Sequence, residues 1–241
     1  MFYQKSKFEP KSHTTVPDYV GNSVIGIKYN NGVLIGTDTR LCYGGLAKYQ
    51  NINNRISRIN DNTIMGSSGE YSDYQEVTRI LEEETQKDSL NSRSYLGPSE
   101  VTNYLSSIHY YRRNKMDPYL NSHVVGGVDW SGKTVLNMVD QYGTKLSGDY
   151  FVTGMGAYFS SPIIEPELAR NIVNINRTAA IDVLEKCFKV IYYRDARAGN
   201  NIKYSWLEKE GETLVYDEME RSFKGNWGFS QFKTITNDLY K

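Results

Sequence analysis

Residues 21–40 read GNSVIGIKYNNGVLIGTDTR. Val24, Ile25 and Ile27 make one apolar run, Val33, Leu34 and Ile35 another, and Asn31-Gly32 lies between them. Both turn residues tolerate positive φ, so the pair predicts a tight β-hairpin. Downstream, KYQNINNRISRINDNTIMGSSG (48–69) predicts a second β pair turning at Asn60-Asp61-Asn62. SDYQEVTRILEEETQK (72–87) predicts a helix, with Tyr74, Val77, Ile80 and Leu81 on one face and Ser72 as N-cap ahead of Gln75. DSLNSRSYLGP (88–98) reads as a loop, and SEVTNYLSSIHYYRRNKM (99–116) as a second helix stopped by Pro118. Strands return over 122–143 with a turn at Ser131-Gly132, and one short strand leads to a helix from about Gly156. Residues 177–197 form a fourth helix, with Ile181, Leu184, Phe188 and Ile191 at helical spacing. A last hairpin over 202–218 turns at Glu210-Gly211.

Hairpins segregated from helix pairs argue for a layered α+β domain and against a doubly wound parallel sheet. Two antiparallel sheets face to face, with a helix pair outside each, make a four-layer αββα sandwich. The expected organisation is an irregular arm over 1–20, one domain over 21–220 and a tail over 221–241.

The chain has 241 residues, with 28 basic and 28 acidic side chains. Zero net charge removes a global electrostatic argument for nucleic acid or an anionic membrane. No apolar run approaches the roughly 20 residues that span a bilayer, and MFYQKSKFEPKSH lacks the apolar block of a secretory signal. Cys42 and Cys187 have no C-x-x-C spacing, which fits two packed thiols in a reduced, cytosolic or nuclear protein. Twenty tyrosines fit half-buried packing, with interfaces as the functional alternative. His13, His109 and His123 have no spacing that sets two on one helix face, so no zinc site is expected. GMGAYF (154–159) lacks the third glycine of a dinucleotide fingerprint, and no cofactor is expected. YYRRNK (110–115) reads as a solvated basic helix end complementing the dipole. In RSFKGNWGFSQF (221–232), Phe223, Trp227, Phe229 and Phe232 are too many aromatics for free solvent, so the tail is expected to dock on a neighbouring surface.

GNSVIGIKYNNGVLIGTDTR, NNRISRI, GSSGEYSD, VVGGVD, TGMGAYF and YYRDAR together resemble the proteasome β-subunit family, in its order, from about residue 20 to 215. YRRNKMDPYLN and KVIYYRDAR are most similar to the seventh β position of the eukaryotic core particle. The resemblance implies the αββα fold of N-terminal-nucleophile hydrolases and assembly into seven-membered rings. It also implies the other β subunits of the same ring, the opposite β ring and the α subunits as partners, in cytoplasm and nucleus, with no nucleic acid and no membrane.

Active members of that family expose a threonine by self-cleavage after a glycine, and its hydroxyl attacks the peptide carbonyl. The glycine matches Gly21, and the threonine position falls on Asn22. Amide resonance withdraws electron density from a carboxamide, so Asn22 is no nucleophile. The family's aspartate matches Asp38, and its lysine matches Arg55 with one inserted residue upstream. Arginine does not release its proton near neutral pH but can hold a carboxylate in an ion pair. The glycine-flanked serine becomes Met155, the aspartate of the Arg-Asp pair is kept as Asp195, and the serine three residues later becomes Ala198. These substitutions imply a subunit without catalysis of its own, supporting ring assembly and the joining of half-particles for ubiquitin-dependent degradation. The alternative is an active threonine peptidase using a threonine exposed near Thr14, a possible processing end; the family resemblance then implies that the arm over 1–20 is a propeptide-like segment. Thr14 stands eight residues before Asn22, a reach of about 25 Å if extended.

Overall fold

The computed structural model describes residues 15–44, 47–51, 55–91, 96–170 and 175–226. The chain begins with β1 (Tyr19–Gly21), β2 (Val24–Tyr29), β3 (Gly32–Asp38), β4 (Leu41–Tyr43), β5 (Ala47–Tyr49), β6 (Ile56–Asn60) and β7 (Thr63–Glu70). Helices α1 (Tyr71–Asn91) and α2 (Pro98–Asn114) follow, then β8 (Asn121–Val128), β9 (Thr134–Val139), β10 (Lys145–Ser147) and β11 (Tyr150–Val152). Helices α3 (Gly156–Arg170) and α4 (Arg177–Arg194) precede the long hairpin of β12 (Asn201–Glu210) and β13 (Thr213–Ser222).

Among the described residues the strands form two antiparallel sheets. One runs β10-β9-β8-β7-β1-β4-β5, with β6 also on β7, and the other runs β11-β2-β3-β12-β13. Successive strand residues point to opposite faces. Val24, Val33 and Ile35 therefore pack between the sheets against Ile64, Val124 and Leu136. Ile25, Ile27 and Leu34 pack the other way, against Leu184, Phe188 and Ile191 of α4. Both faces of this hairpin are buried, so its apolar residues run on where a half-exposed strand would alternate. Outside the larger sheet, Val77 and Leu81 of α1 and Val101 and Leu105 of α2 cover Met65, Val125 and Val139. The order of layers is helix pair, sheet, sheet, helix pair, the expected four-layer α+β sandwich.

The sheets approach closely where glycines face each other's side chains. A Cβ on Gly26 would stand 2.6 Å from Val124 Cγ1, one on Gly66 2.7 Å from Ile35 Cγ2, and one on Gly126 2.9 Å from Val33 Cγ2.

Several local expectations shift. The first hairpin turns at Asn30-Asn31, one residue early, and neither of these nor Gly32 has positive φ. Gly32 is instead a strand residue, and a Cβ there would run into the Leu207 carbonyl of β12. Helix α1 starts at Tyr71, so Ser72 is not its N-cap; the Glu70 carboxylate accepts from the Ser72 N–H (3.5 Å) and hydroxyl (3.0 Å). The helix also runs on to Asn91, through residues read as loop. Helix α2 ends at Asn114, before Pro118, and Met116 takes φ 56°. Tyr19 and Val20, read as the end of an irregular arm, belong to strand β1. Two short strands, β10 and β11, replace the one expected ahead of α3.

Candidate functional site

Asn22 follows β1 and leads into β2, and it is buried. Its Nδ2 donates to the Arg197 carbonyl at 2.6 Å and to Asp38 Oδ2 at 3.4 Å. Asp38 ends β3 and is held in place by its register with Ile202 of β12. Arg55, just ahead of β6, donates through Nη2 to Asp38 Oδ1 and, at 2.5 Å, to the Asp38 carbonyl. Its Nη1 donates to the carbonyls of Asn22 (3.1 Å) and Ser67 (3.3 Å). The Gly199 N–H donates to Asp38 Oδ2 at 2.9 Å. Both charged side chains are only 2% exposed.

Burial pushes the Asp38 carboxyl above its ordinary range, against the pull of the Arg55 guanidinium, the Gly199 N–H and the Asn22 amide. Burial likewise lowers Arg55, against the pull of Asp38. Such a pair is a poor source of net stability but a costly one to break, because either charge left alone stays buried. Chemically the cluster binds itself. It contains a carboxamide and a spent carboxylate, and its cation cannot act as a base.

Asp195 and Met155 line a cavity of about 190 Å³ together with Asn22, Asn121, Gln141 and Arg197. Asp195 Oδ1 accepts from the Arg197 N–H at 2.9 Å, which shapes the loop whose carbonyl meets Asn22. Met155 is exposed at the cavity mouth. Ala198 turns away and packs with Ile191 and Ile202 under the outer helices. Asn22, Asp38 and Arg55 thus form one cluster, Asp195 and Met155 its rim, and Ala198 part of the core.

The chain entering this cluster is itself a strand. Val20 and Gly21 pair with Cys42 and Leu41 on one side and with Glu70 and Gly69 on the other. Glu70 Oε2 also accepts from the N–H groups of Asp18 (2.6 Å) and Tyr19 (3.1 Å). A Cβ on Gly21 would overlap Arg55 Cδ, so glycine here makes room for the guanidinium stem. In the uncut chain the nitrogen of Asn22 is a peptide amide.

Thr14, Trp227, Phe229, Phe232 and His13 lie outside the described residues. Phe223 packs against the core beneath α3 and α4, and its N–H donates to the Asn200 carbonyl at 2.8 Å. Cys42 and Cys187 are buried and outside any disulfide, and burial pushes the Cys187 thiol up to about 12. Among the described residues no three metal-ligating side chains gather, and no helix is long and apolar enough to cross a membrane.

Spacing alone missed several groups. His109 and His123 meet with Nε2 atoms 3.1 Å apart, and burial holds both below the usual range, His109 at about 4. A signal existed: His109 continues the buried Val101–Leu105 stripe, and His123 shares a strand face with Val125. Arg197 and Gly199 were also missed, because they act through backbone groups that carry no side-chain signature.

The family model for proteasome subunits matches residues 19–207. A proteasome subunit beta type-4 of Arabidopsis thaliana is 36% identical over 95% of this chain and 90% of its own length. The beta type-4 subunit of Xenopus laevis is 34% identical over 90% of this chain and 88% of its own. Beta type-7 of Saccharomyces cerevisiae is 31% identical over 92% and 85%. With the matching fold, these similarities establish that the chain belongs to the proteasome subunit family.

Proposed function

We propose that the chain is a non-catalytic β subunit of the 20S proteasome core particle. It sits in a β ring beside other β subunits, contacts the α ring, and helps join the two halves of the particle, in cytoplasm and nucleus. The observation that carries this reading is the carboxamide of Asn22 in the family's nucleophile position, hydrogen-bonded to Asp38. Arg55, where the family has a lysine, supports it, because an arginine keeps its proton at neutral pH.

Treating the assembled particle with a reagent selective for N-terminal threonine tests it. No added mass on this chain is expected, while labelled sister subunits serve as the internal control. An adduct on this chain would identify it as a peptidase. The arm over 1–20 and the tail beyond β13 belong to this proposal as assembly elements. Deleting residues from Lys224 onward spares β13 and the Phe223 contact, and is expected to slow joining of half-particles. Wild-type joining kinetics in that variant would remove the tail's role.

A further inference from the structure

Helix α2 ends in Tyr110-Tyr111-Arg112-Arg113-Asn114, and the helix dipole alone accounts for two guanidinium groups in a last turn. It does not account for what surrounds them. Tyr110 and Tyr111 are 53% and 61% exposed, Met116 80%, and Tyr142 of the β9–β10 turn 53%. The Arg113 guanidinium stands over two of these rings, 5.7 Å from the Tyr110 centroid and 5.8 Å from that of Tyr142. Lys115 Nζ lies 5.4 Å from the Tyr111 ring.

The turn is locked to the helix. Ser106 Oγ donates to the Gly143 carbonyl at 2.6 Å, and Asp140 accepts the N–H groups of Tyr142 and Thr144 at 2.8 Å each. Gly143, at φ 84°, comes so near that a Cβ would stand 2.9 Å from the Tyr110 nitrogen. The patch is therefore preorganised across two elements, which lowers the cost of binding. Its charge is unbalanced as well. Arg112 is matched by Asp117 at 2.8 Å, but Arg113 and Lys115 have no ion-pair partner among the described residues.

We infer that this end of α2 is a docking surface for a segment of a neighbouring chain that offers two carboxylates beside an apolar side chain. Arginine and tyrosine at the centre of a rigid patch are the side chains that dominate interface energies. Stacking dries one face of each cation and leaves its edge free to donate to a carboxylate. Nucleic acid fits poorly, because Asp117 and Asp140 stand alongside and the chain has no net positive charge. The inference rests on the ring-subunit reading for the presence of a neighbour.

The test uses the full chain in cells, with a benzophenone amino acid at Tyr111 and, separately, the pair Arg113→Glu/Lys115→Glu, followed by separation of complexes by size. The Tyr111 probe is expected to cross-link a peptide of another subunit that contains Asp or Glu. The charge reversal is expected to lower the incorporated fraction about tenfold. Reversing the cross-linked carboxylates to lysine should restore it, which separates lost docking from lost folding. Wild-type incorporation of the reversed pair, or a cross-link to a peptide without carboxylates, overturns this surface and leaves the subunit assignment standing. A nuclease-sensitive cross-link also overturns it, in favour of nucleic acid. A wild-type chain that never enters a large particle overturns the subunit assignment and this surface together.

Discussion

Arg55 is held by four acceptors, and three of them are backbone carbonyls, so its position is set by the fold as much as by Asp38. Removing it strands a carboxylate that is almost fully buried. Arg55→Met is expected to cost about 3–5 kcal/mol, read as a lower urea midpoint of the full chain. Asp38→Leu combined with Arg55→Met should cost less than the two single changes summed, since neither charge is then left alone. Gly21→Ala should cost about 1–3 kcal/mol by overpacking, and less once Arg55 has been shortened. The glycine that would mark a cleavage junction thus has a packing duty of its own. Asn22→Thr restores a hydroxyl but leaves Arg55 protonated, so the intact mass of that variant should show no cleavage after Gly21.

Helix α2 docks on the larger sheet partly through two neutral imidazoles. The His109 value of about 4 lies below the ordinary 6.5, so below pH 6.5 the unfolded chain binds more protons than the folded one. Stability is then fully present above pH 6.5 and is lost as pH falls toward 4, by about 3 kcal/mol from His109 alone. Denaturation midpoints across that range should show the slope, and His109→Gln should flatten it. Which parts of such elements were legible follows from how they are specified. The hairpin of β2 and β3 was readable from its apolar runs and Asn-rich turn, but its turn slid by one residue because β12 claims Gly32. The start of α1 was misplaced because Glu70 also ties down β1, a tertiary duty with no local pattern. Asn22, Asp38 and Arg55 were legible through the family register. Their partners at Arg197 and Gly199 were not, since they come from 175 and 161 positions away and act through the main chain.

At the scale of the molecule, the two sheets set the distance between the helix layers, and the facing glycines set the distance between the sheets. Gly26→Ala should cost about 1–3 kcal/mol, because Val124 or Leu136 must shift to admit the methyl group. A control change at an exposed position such as Leu90 should leave the thermal midpoint unchanged. The layer order was legible because hairpins and helix pairs alternate in blocks, whereas β1 and β4, three residues each, are too short to announce their pairing beside β7.

The seat of β1 between β4 and β7 has a consequence for how far the chain can be worn back from its amino end. A trimming enzyme needs several residues of loose backbone, and from Asp18 onward the backbone is bonded to Glu70 and then laddered on both edges. Limited digestion of the folded chain should therefore leave the backbone from Tyr19 to Asn22 uncut, a limit that mass spectrometry of the products would reveal. The amino group created at any such stop is three or more residues short of the Asn22 seat, so wear at this end can shorten the polypeptide but cannot deliver a terminal amine to the place where chemistry would need one.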